Sequence, residues 1–227
     1  MANLTDRMRG YEAVTKQRLL RKCPVIVRVD GNCFHTWTLN LKRPFDMNLA
    51  VEMNSAAMNC AFNMQGFLAA YIQSDEISFL LSDLTHHESE PWFGYVTQKV
   101  ASITAAMATA FFNTAGLGPP AWFDGRAFNV PREDVSNYFL WRMKDWERNS
   151  LQMFARAYFS HRELYGKKHA DMHEMLHKIG RNWTIDVPPM FRNGRWVFSN
   201  GLCRTDILPT YPTIAEIIEP LLKSEGN

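Results

Sequence analysis

The sequence predicts an α+β fold: a βαββαβ unit over residues 1–130, then a helical layer over 131–227 packed on it as one compact unit. Three observations predict it. Runs at 24–29, 67–73, 77–82 and 122–130 read as strands. Apolar stripes with spacings of three and four separate the first run from the second, and the third from the fourth. Only Ser74-Asp75-Glu76 joins the middle two, which makes them a hairpin.

The elements follow in order. Leu4-Thr5-Asp6-Arg7-Met8 reads as a short helix capped by Thr5. Pro24 to Val29 (PVIVRV) is β-branched, ends against Gly31, and suits a buried strand. Asp46 starts a helix whose stripe runs through Leu49, Met53, Ala56, Cys60 and Met64. Phe67–Gln73 and Ile77–Ser82 form the hairpin. A second stripe passes through Val96, Val100, Ile103, Met107 and Phe111 and stops near Gly116. Trp122–Val130 is the fourth strand, and Pro131 opens a helix, as proline does in a first turn. Beyond Val130 the chain reads as largely helical, punctuated by Trp and Pro from Arg181 onward. The first part is the ferredoxin-like split unit.

With 227 residues, 46% of them apolar, the chain can bury one good core. The 21% charged and 13% aromatic content excludes a disordered chain. Net charge is only +2, but it is unevenly spread. Pro44 to Gln98 holds seven acids and no Lys or Arg, whereas Leu140 to Arg195 holds eleven basic residues and six acidic ones. Such blocks suit a metal centre beside a phosphate-binding surface, and equally two solvated faces. The four cysteines lack C-x-x-C spacing and are expected to be reduced thiols. A secretory signal is not evident, and no run approaches the eighteen or so apolar residues of a membrane span. A soluble, cytoplasmic protein without a membrane partner is expected.

The chemistry lies at strand ends. Asp30 ends the first strand, and Asp75-Glu76 sit in the hairpin that the fold places beside it. Two carboxylates brought together repel, and a pair of Mg²⁺ ions with hard oxygen ligands compensates them. Gly31, lacking a Cβ, lets its carbonyl approach an ion. Two such ions about 3.5–4 Å apart serve phosphoryl transfer. A lone turn aspartate is ordinarily just a solvated turn residue. The arrangement taken alone fits a polymerase palm or a nucleotide cyclase equally.

Triphosphates need cations. Arg28 shares a strand face with Asp30, and Arg43 is held extended by Pro44. Lys99 flanks the second helical stripe, Arg126 lies on the fourth strand, and His35 follows Phe34, where it can meet a base. Each alone is ordinarily a surface group. His169, His173 and His177 share one helical face, but no further zinc ligands accompany them, so a solvated or RNA-facing helix is expected. Arg181, Arg192 and Arg195, with Trp183 and Trp196, suit phosphate contacts and base stacking, or a surface with two packed indoles.

Taken together, Val27-Arg28-Val29-Asp30-Gly31 with Phe34-His35, Tyr71-Ile72-Gln73-Ser74-Asp75-Glu76, Phe123-Asp124-Gly125-Arg126 and Trp141-Arg142 resemble the tRNA-histidine guanylyltransferase superfamily. The match runs in order from about Leu4 to about Tyr165. The resemblance implies a polymerase-type palm that adds nucleotides 3′ to 5′. A tRNA 5′-monophosphate is activated by ATP or GTP, and the 3′-hydroxyl of an incoming nucleoside triphosphate attacks it. It further implies that Asp30, Gly31 through its carbonyl, and Asp75 hold the metals, with Glu76 as a third carboxylate. Arg28, His35, Arg43, Ser74 and Lys99 would meet the nucleotide, with Arg43 where the family has lysine and Lys42 as its neighbouring substitute. Arg126, Asn149, Arg181, Arg192 and Arg195 would contact tRNA. A homo-oligomer, a tetramer in relatives, is also implied.

One departure narrows the expectation. Where guanylyltransferases carry His-Ile-Asn-Asn, this chain has Glu147-Arg148-Asn149-Ser150 and keeps only Asn149. The resemblance is therefore to the guanylyltransferase-like branch, which implies template-directed repair or editing of truncated tRNA 5′ ends. The alternatives are addition of a single G to histidine tRNA, a palm-type cyclase, or a non-catalytic tRNA-binding module. A cyclase would show a Gly-Gly-Asp/Glu-Glu hairpin in place of Gln73-Ser74-Asp75-Glu76.

Overall fold

In the computed structural model, which describes residues 3–84, 88 and 90–223, all four expected strands join one antiparallel sheet. Helix α1 (Leu4–Ala13) comes first, and its cap is Asn3, whose side chain accepts the Asp6 amide at 2.8 Å. The cap was expected at Thr5, which lies inside the helix. Strand β1 (Val25–Gly31) is followed by α2 (Phe34–Trp37) and α3 (Met47–Phe62). Strands β2 (Phe67–Gln73) and β3 (Glu76–Leu81) form the hairpin, and α4 (Thr97–Asn113) leads to β4 (Phe123–Asn129). The long α5 (Val135–Arg156) is followed by α6 (His161–Leu164), α7 (His169–Lys178), α8 (Trp183–Asp186) and α9 (Pro189–Arg192). Strands β5 (Arg195–Phe198) and β6 (Cys203–Arg204) and helix α10 (Tyr211–Leu221) complete the chain.

The sheet order is β4-β1-β3-β2-β5-β6. Its first four members are the expected βαββαβ arrangement, with β1 in the middle beside β3. Alternation along β1 sorts the two faces. Val25, Val27 and Val29 pack with Ile77, Phe79, Met53, Ala56 and Val100 beneath α3 and α4. Ile26 packs on the opposite face with Tyr71, Leu80, Phe139, Met143 and Trp196 beneath α5 and α10. Arg28 and Asp30 share that second face. A third cluster, including Leu151, Phe154, Leu176, Trp183 and Phe191, joins the C-terminal half of α5 to α7, α8 and α9.

Helix α3 follows its expected stripe. Asp46 caps it by accepting the Leu49 amide at 3.0 Å, and Met53, Ala56, Cys60 and the following Met64 are buried. On α4 the expected stripe holds except at Ile103: Val96 and Val100 are buried, and Met107 and Phe111 pack partly buried against the core. Val100, Thr104, Ala108 and Phe112 are the buried set, while Ile103 faces out. The four fully buried positions form a row at the centre of the apolar face, and Met107 and Phe111 flank it.

The chain after Val130 was expected to be largely helical, yet it extends the sheet through β5 and β6. Gly194 makes the junction possible. It has φ +77°, and a Cβ there would sit 2.4 Å from the Tyr71 hydroxyl. That hydroxyl donates to the Asn193 carbonyl at 3.1 Å. No helix of the described residues is long and apolar enough to cross a membrane, and all four cysteines are free.

Candidate active site

The β2–β3 hairpin turns in two residues, Ser74 and Asp75, rather than three. Glu76 already belongs to β3, where it pairs with Gln73. Ser74 takes φ +46°, a left-handed conformation that a non-glycine residue adopts only under local constraint. The tip is tied to β1 by the Gly31 amide, which donates to the Asp75 carbonyl at 3.1 Å. In register, Asp30 lies between Glu76 on β3 and Asp124 on β4. Gly31 has a packing reason beyond the expected metal approach: a Cβ would fall 2.2 Å from the Phe34 ring. That ring stacks on Trp37 at 5.1 Å and packs against Phe123.

Asp30, Gly31 and the hairpin tip open onto a cavity of about 610 Å³. Of the expected nucleotide contacts, His35, Arg43 and Ser74 line it, and so does Lys42. The Arg43–Pro44 peptide bond is cis. Trp146 and Arg156 on α5, Phe191 on α9 and Arg195 on β5 also line it; of these only Arg195 was expected to meet a phosphate, as a tRNA contact. Arg156 carries no motif, and only tertiary folding brings it to the cavity.

The electrostatics mark the paired acids. Burial, opposed by a hydrogen bond from Ser74 and reinforced by the Asp30 carboxylate, pushes Asp75 up to about 6. Asp30 is likewise raised by burial and by Asp124, with Arg28 and Arg126 offsetting part of this. Among the described residues neither acid has an ion-pair partner. A divalent cation meets that need, and Asp30, Asp75 and the Gly31 carbonyl are hard oxygen donors of the right kind. Among the described residues no three His, Cys, Asp or Glu side chains converge on one point.

Glu76, expected as the third carboxylate, is engaged elsewhere. It is buried beneath α5, where Arg142 donates to it twice, from Nε at 2.8 Å and from Nη2 at 2.6 Å. Arg142 also reaches Asp145 at 3.3 Å. Burial still holds Glu76 above its usual range, with the Arg142 charge opposing. Glu76 therefore anchors α5 to the hairpin rather than facing the cavity.

Several expected contacts lie outside the cavity. Arg28 is half-buried on the α5 face, its guanidinium 5.9 Å from the Trp141 ring centre. Lys99 is exposed on α4, and Arg126 pairs with Asp124 at 3.1 Å on exposed β4. Asn149 is half-buried on α5. Arg181 lies over Tyr158 at 5.3 Å, and Arg192 over Trp183 at 5.8 Å. Trp183 and Trp196 are core residues rather than stacking platforms; Arg195, though buried beside Trp196, differs from the other expected tRNA contacts in that it lines the cavity. Trp141 is an exposed indole, 56% accessible, with Arg142 4.6 Å from its ring centre. His169 and His173 lie 6.1 Å apart, and His173 packs 5.8 Å from Trp183. Burial and the other two histidines hold His173 below its usual range.

A palm-like α+β sheet with paired strand-end acids beside a cationic cavity is the framework of nucleotidyl transfer. Residues 5–131 match the family model described as Thg1: tRNAHis guanylyltransferase. The chain belongs to the tRNAHis guanylyltransferase family and is a nucleotidyltransferase. It is similar to a bacterial Thg1-like protein solved in complex with ATP, at 35% identity and TM-score 0.91, over 96% of this chain and 98% of that one. A GTP complex of a bacterial Thg1-like protein matches at 35% identity and TM-score 0.84, with the same coverage. The tRNA(His) guanylyltransferase of Candida glabrata is 27% identical over 203 residues, 81% of this chain and 85% of that protein.

Proposed function

We propose that this protein is a metal-dependent 3′-to-5′ nucleotidyltransferase that adds template-complementary nucleotides to the 5′ end of truncated tRNA. The observation that carries the reading is the meeting of Asp30 and Asp75, unpaired, at a cavity lined by Lys42, Arg43, Arg156 and Arg195. The ATP and GTP complexes of the bacterial relatives support a nucleoside triphosphate in that cavity. Magnesium fits Asp30, Asp75 and the Gly31 carbonyl, where it would neutralise the acids and the phosphates they face.

The chain's own groups supply the rest. Arg43 and Lys42 hold phosphate oxygens, and the Ser74 hydroxyl donates beside them. At neutral pH Asp75 has given up its proton, since its carboxyl titrates at about 6, so both acids are ionised for a cation. Glu76 and Arg142 keep the hairpin tip at a fixed height below α5. In the transfer itself, the 3′-oxygen of the incoming nucleotide bonds to the activated 5′-phosphorus, and the bond to the leaving nucleotide or pyrophosphate breaks.

Template reading is supported by what occupies the place of the missing motif. Glu147 accepts from Lys144 at 2.9 Å, and Arg148 pairs with Asp145. Ser150 is buried, donating to the Phe191 carbonyl and accepting from Trp183 Nε1 at 3.1 Å. Ser150 is thus committed within the fold, while Glu147 and Arg148 are held in ion pairs along the surface of α5. The descriptions of the curated relatives favour a second reading, addition of one G to histidine tRNA.

The test is incubation with Mg²⁺, ATP, labelled GTP and a tRNA that lacks its first 5′ nucleotide and carries a cytosine opposite the gap. A lengthened RNA supports 5′ addition. A cyclic dinucleotide, or no labelled product at all, overturns it.

A further inference from the structure

The guanidinium of Arg195 is a buried cation without a counter-ion. Strand β5 sets it opposite Ile72, at the head of a run whose other members, Trp196, Val197 and Phe198, are apolar core. Only 3% of the residue is exposed. Its Nε donates to Asn54 Oδ1 on α3 at 2.7 Å, and its Nη2 is buried with no partner. Among the described residues no carboxylate pairs with it.

The contrast with Arg142 is direct. That arginine is also buried, but Glu76 and Asp145 neutralise it and hold its proton more tightly than usual. Burial pulls Arg195 down to about 10, and the charge persists at neutral pH. An uncompensated buried charge is strongly unfavourable unless a partner arrives. Asn54, a neutral acceptor, aims the fork without cancelling it. Arg195 also lines the cavity that holds Lys42, Arg43, Arg156 and the Ser74–Asp75 tip. A planar fork set in a low-dielectric floor, with no acid of its own, matches the geometry of a phosphate group.

We propose that Arg195 is the floor anchor for a phosphate bound in this cavity, with Asn54 as the residue that positions it. The phosphate belongs to the bound nucleoside triphosphate or to the 5′ end of the RNA, which share the same chemistry. The proposal rests on reading the cavity as a phosphate site, but not on nucleotide addition taking place.

The test therefore reads binding and stability, with the full-length protein and no turnover. Melting is followed with and without tripolyphosphate and ATP, and binding is measured for matched RNAs ending in a 5′-monophosphate or a 5′-hydroxyl. Arg195→Met keeps an unbranched apolar stem and removes the guanidinium and its charge. It should melt at least as high as the unliganded wild type and bind the responsible phosphate about ten- to a hundredfold more weakly. Asn54→Asp supplies the missing counter-ion. It should raise the melting temperature of the unliganded protein and weaken the same ligand, a pairing that a purely structural arginine would not produce.

Loss confined to tripolyphosphate and ATP assigns the anchor to the triphosphate. Lost preference for the 5′-monophosphate RNA assigns it to the RNA end. Undiminished binding of all these probes by both variants would overturn the proposal, as would a wild type that responds to none of them. Failure of nucleotide addition with these effects intact would sink the proposed activity and leave the anchor standing.

Discussion

Asp30 and Asp75 are brought together by short-range geometry: one ends a strand, the other tips the neighbouring hairpin, and the Gly31 amide ties the two. Because the acids are buried, repel one another and have no ion-pair partner among the described side chains, removing either should relieve the fold while abolishing nucleotide addition. Asp30→Ala and Asp75→Ala should each be inactive at saturating Mg²⁺ and melt no lower than wild type; extension at the wild-type rate by either would contradict the assignment. A pH dependence follows as well. The Asp75 carboxyl titrates at about 6 in the folded protein against an ordinary 3.8. The folded state therefore holds that proton more tightly than the unfolded one. The resulting penalty is absent below about pH 4, grows through the window between, and is complete above about pH 6. Moving from pH 7.5 to pH 5 should thus stabilise the Mg²⁺-free protein, by about 1–3 kcal/mol from this residue. Asp75→Asn should lose that portion of the gain, and Mg²⁺ should shrink it in the wild type by competing with the proton. Equal pH slopes for Asp75→Asn and wild type in urea melts would count against it.

At the scale of elements, α5 holds the site from above, and its grip on the hairpin is the Arg142–Glu76 pair. The pair is buried, so deleting one partner leaves a charge with nothing to meet it. Arg142→Ala should cost about 3–5 kcal/mol in urea unfolding, with Glu76→Gln costing less because the amide still accepts from the guanidinium. A loss under 1 kcal/mol for Arg142→Ala would mean that α5 is held by its apolar seam alone. The elements that carry Asp30 and Asp75 were legible in the sequence, since strand, hairpin and the Asp46-capped helix all follow local rules. The partner of Glu76 was not, because it lies 66 residues away on another element. Nor was β5, where four residues headed by a buried arginine read as surface until Gly194 and Tyr71 are seen together. Helix α4 shows the same limit at one position: Ile103 is apolar enough to join the stripe, yet it is exposed and the neighbouring Thr104 is buried.

For the whole molecule, the central claim is that the protein supplies metal ligands, phosphate contacts and a rigid hairpin while the RNA supplies the choice of base. At the missing motif the family's His and second Asn are replaced by Glu147 and a buried Ser150 committed within the fold, and Glu147 and Arg148 sit in surface ion pairs along α5. Watson–Crick geometry can carry discrimination in their place, much as guide pairing does in RNA-guided enzymes. The direct measurement uses four tRNAs truncated at the first 5′ position and differing only in the base opposite the gap, each offered the four nucleoside triphosphates separately. The added nucleotide should be the complement of the opposing base in every case. Guanosine added whatever the opposing base, and only to a histidine tRNA, would contradict it.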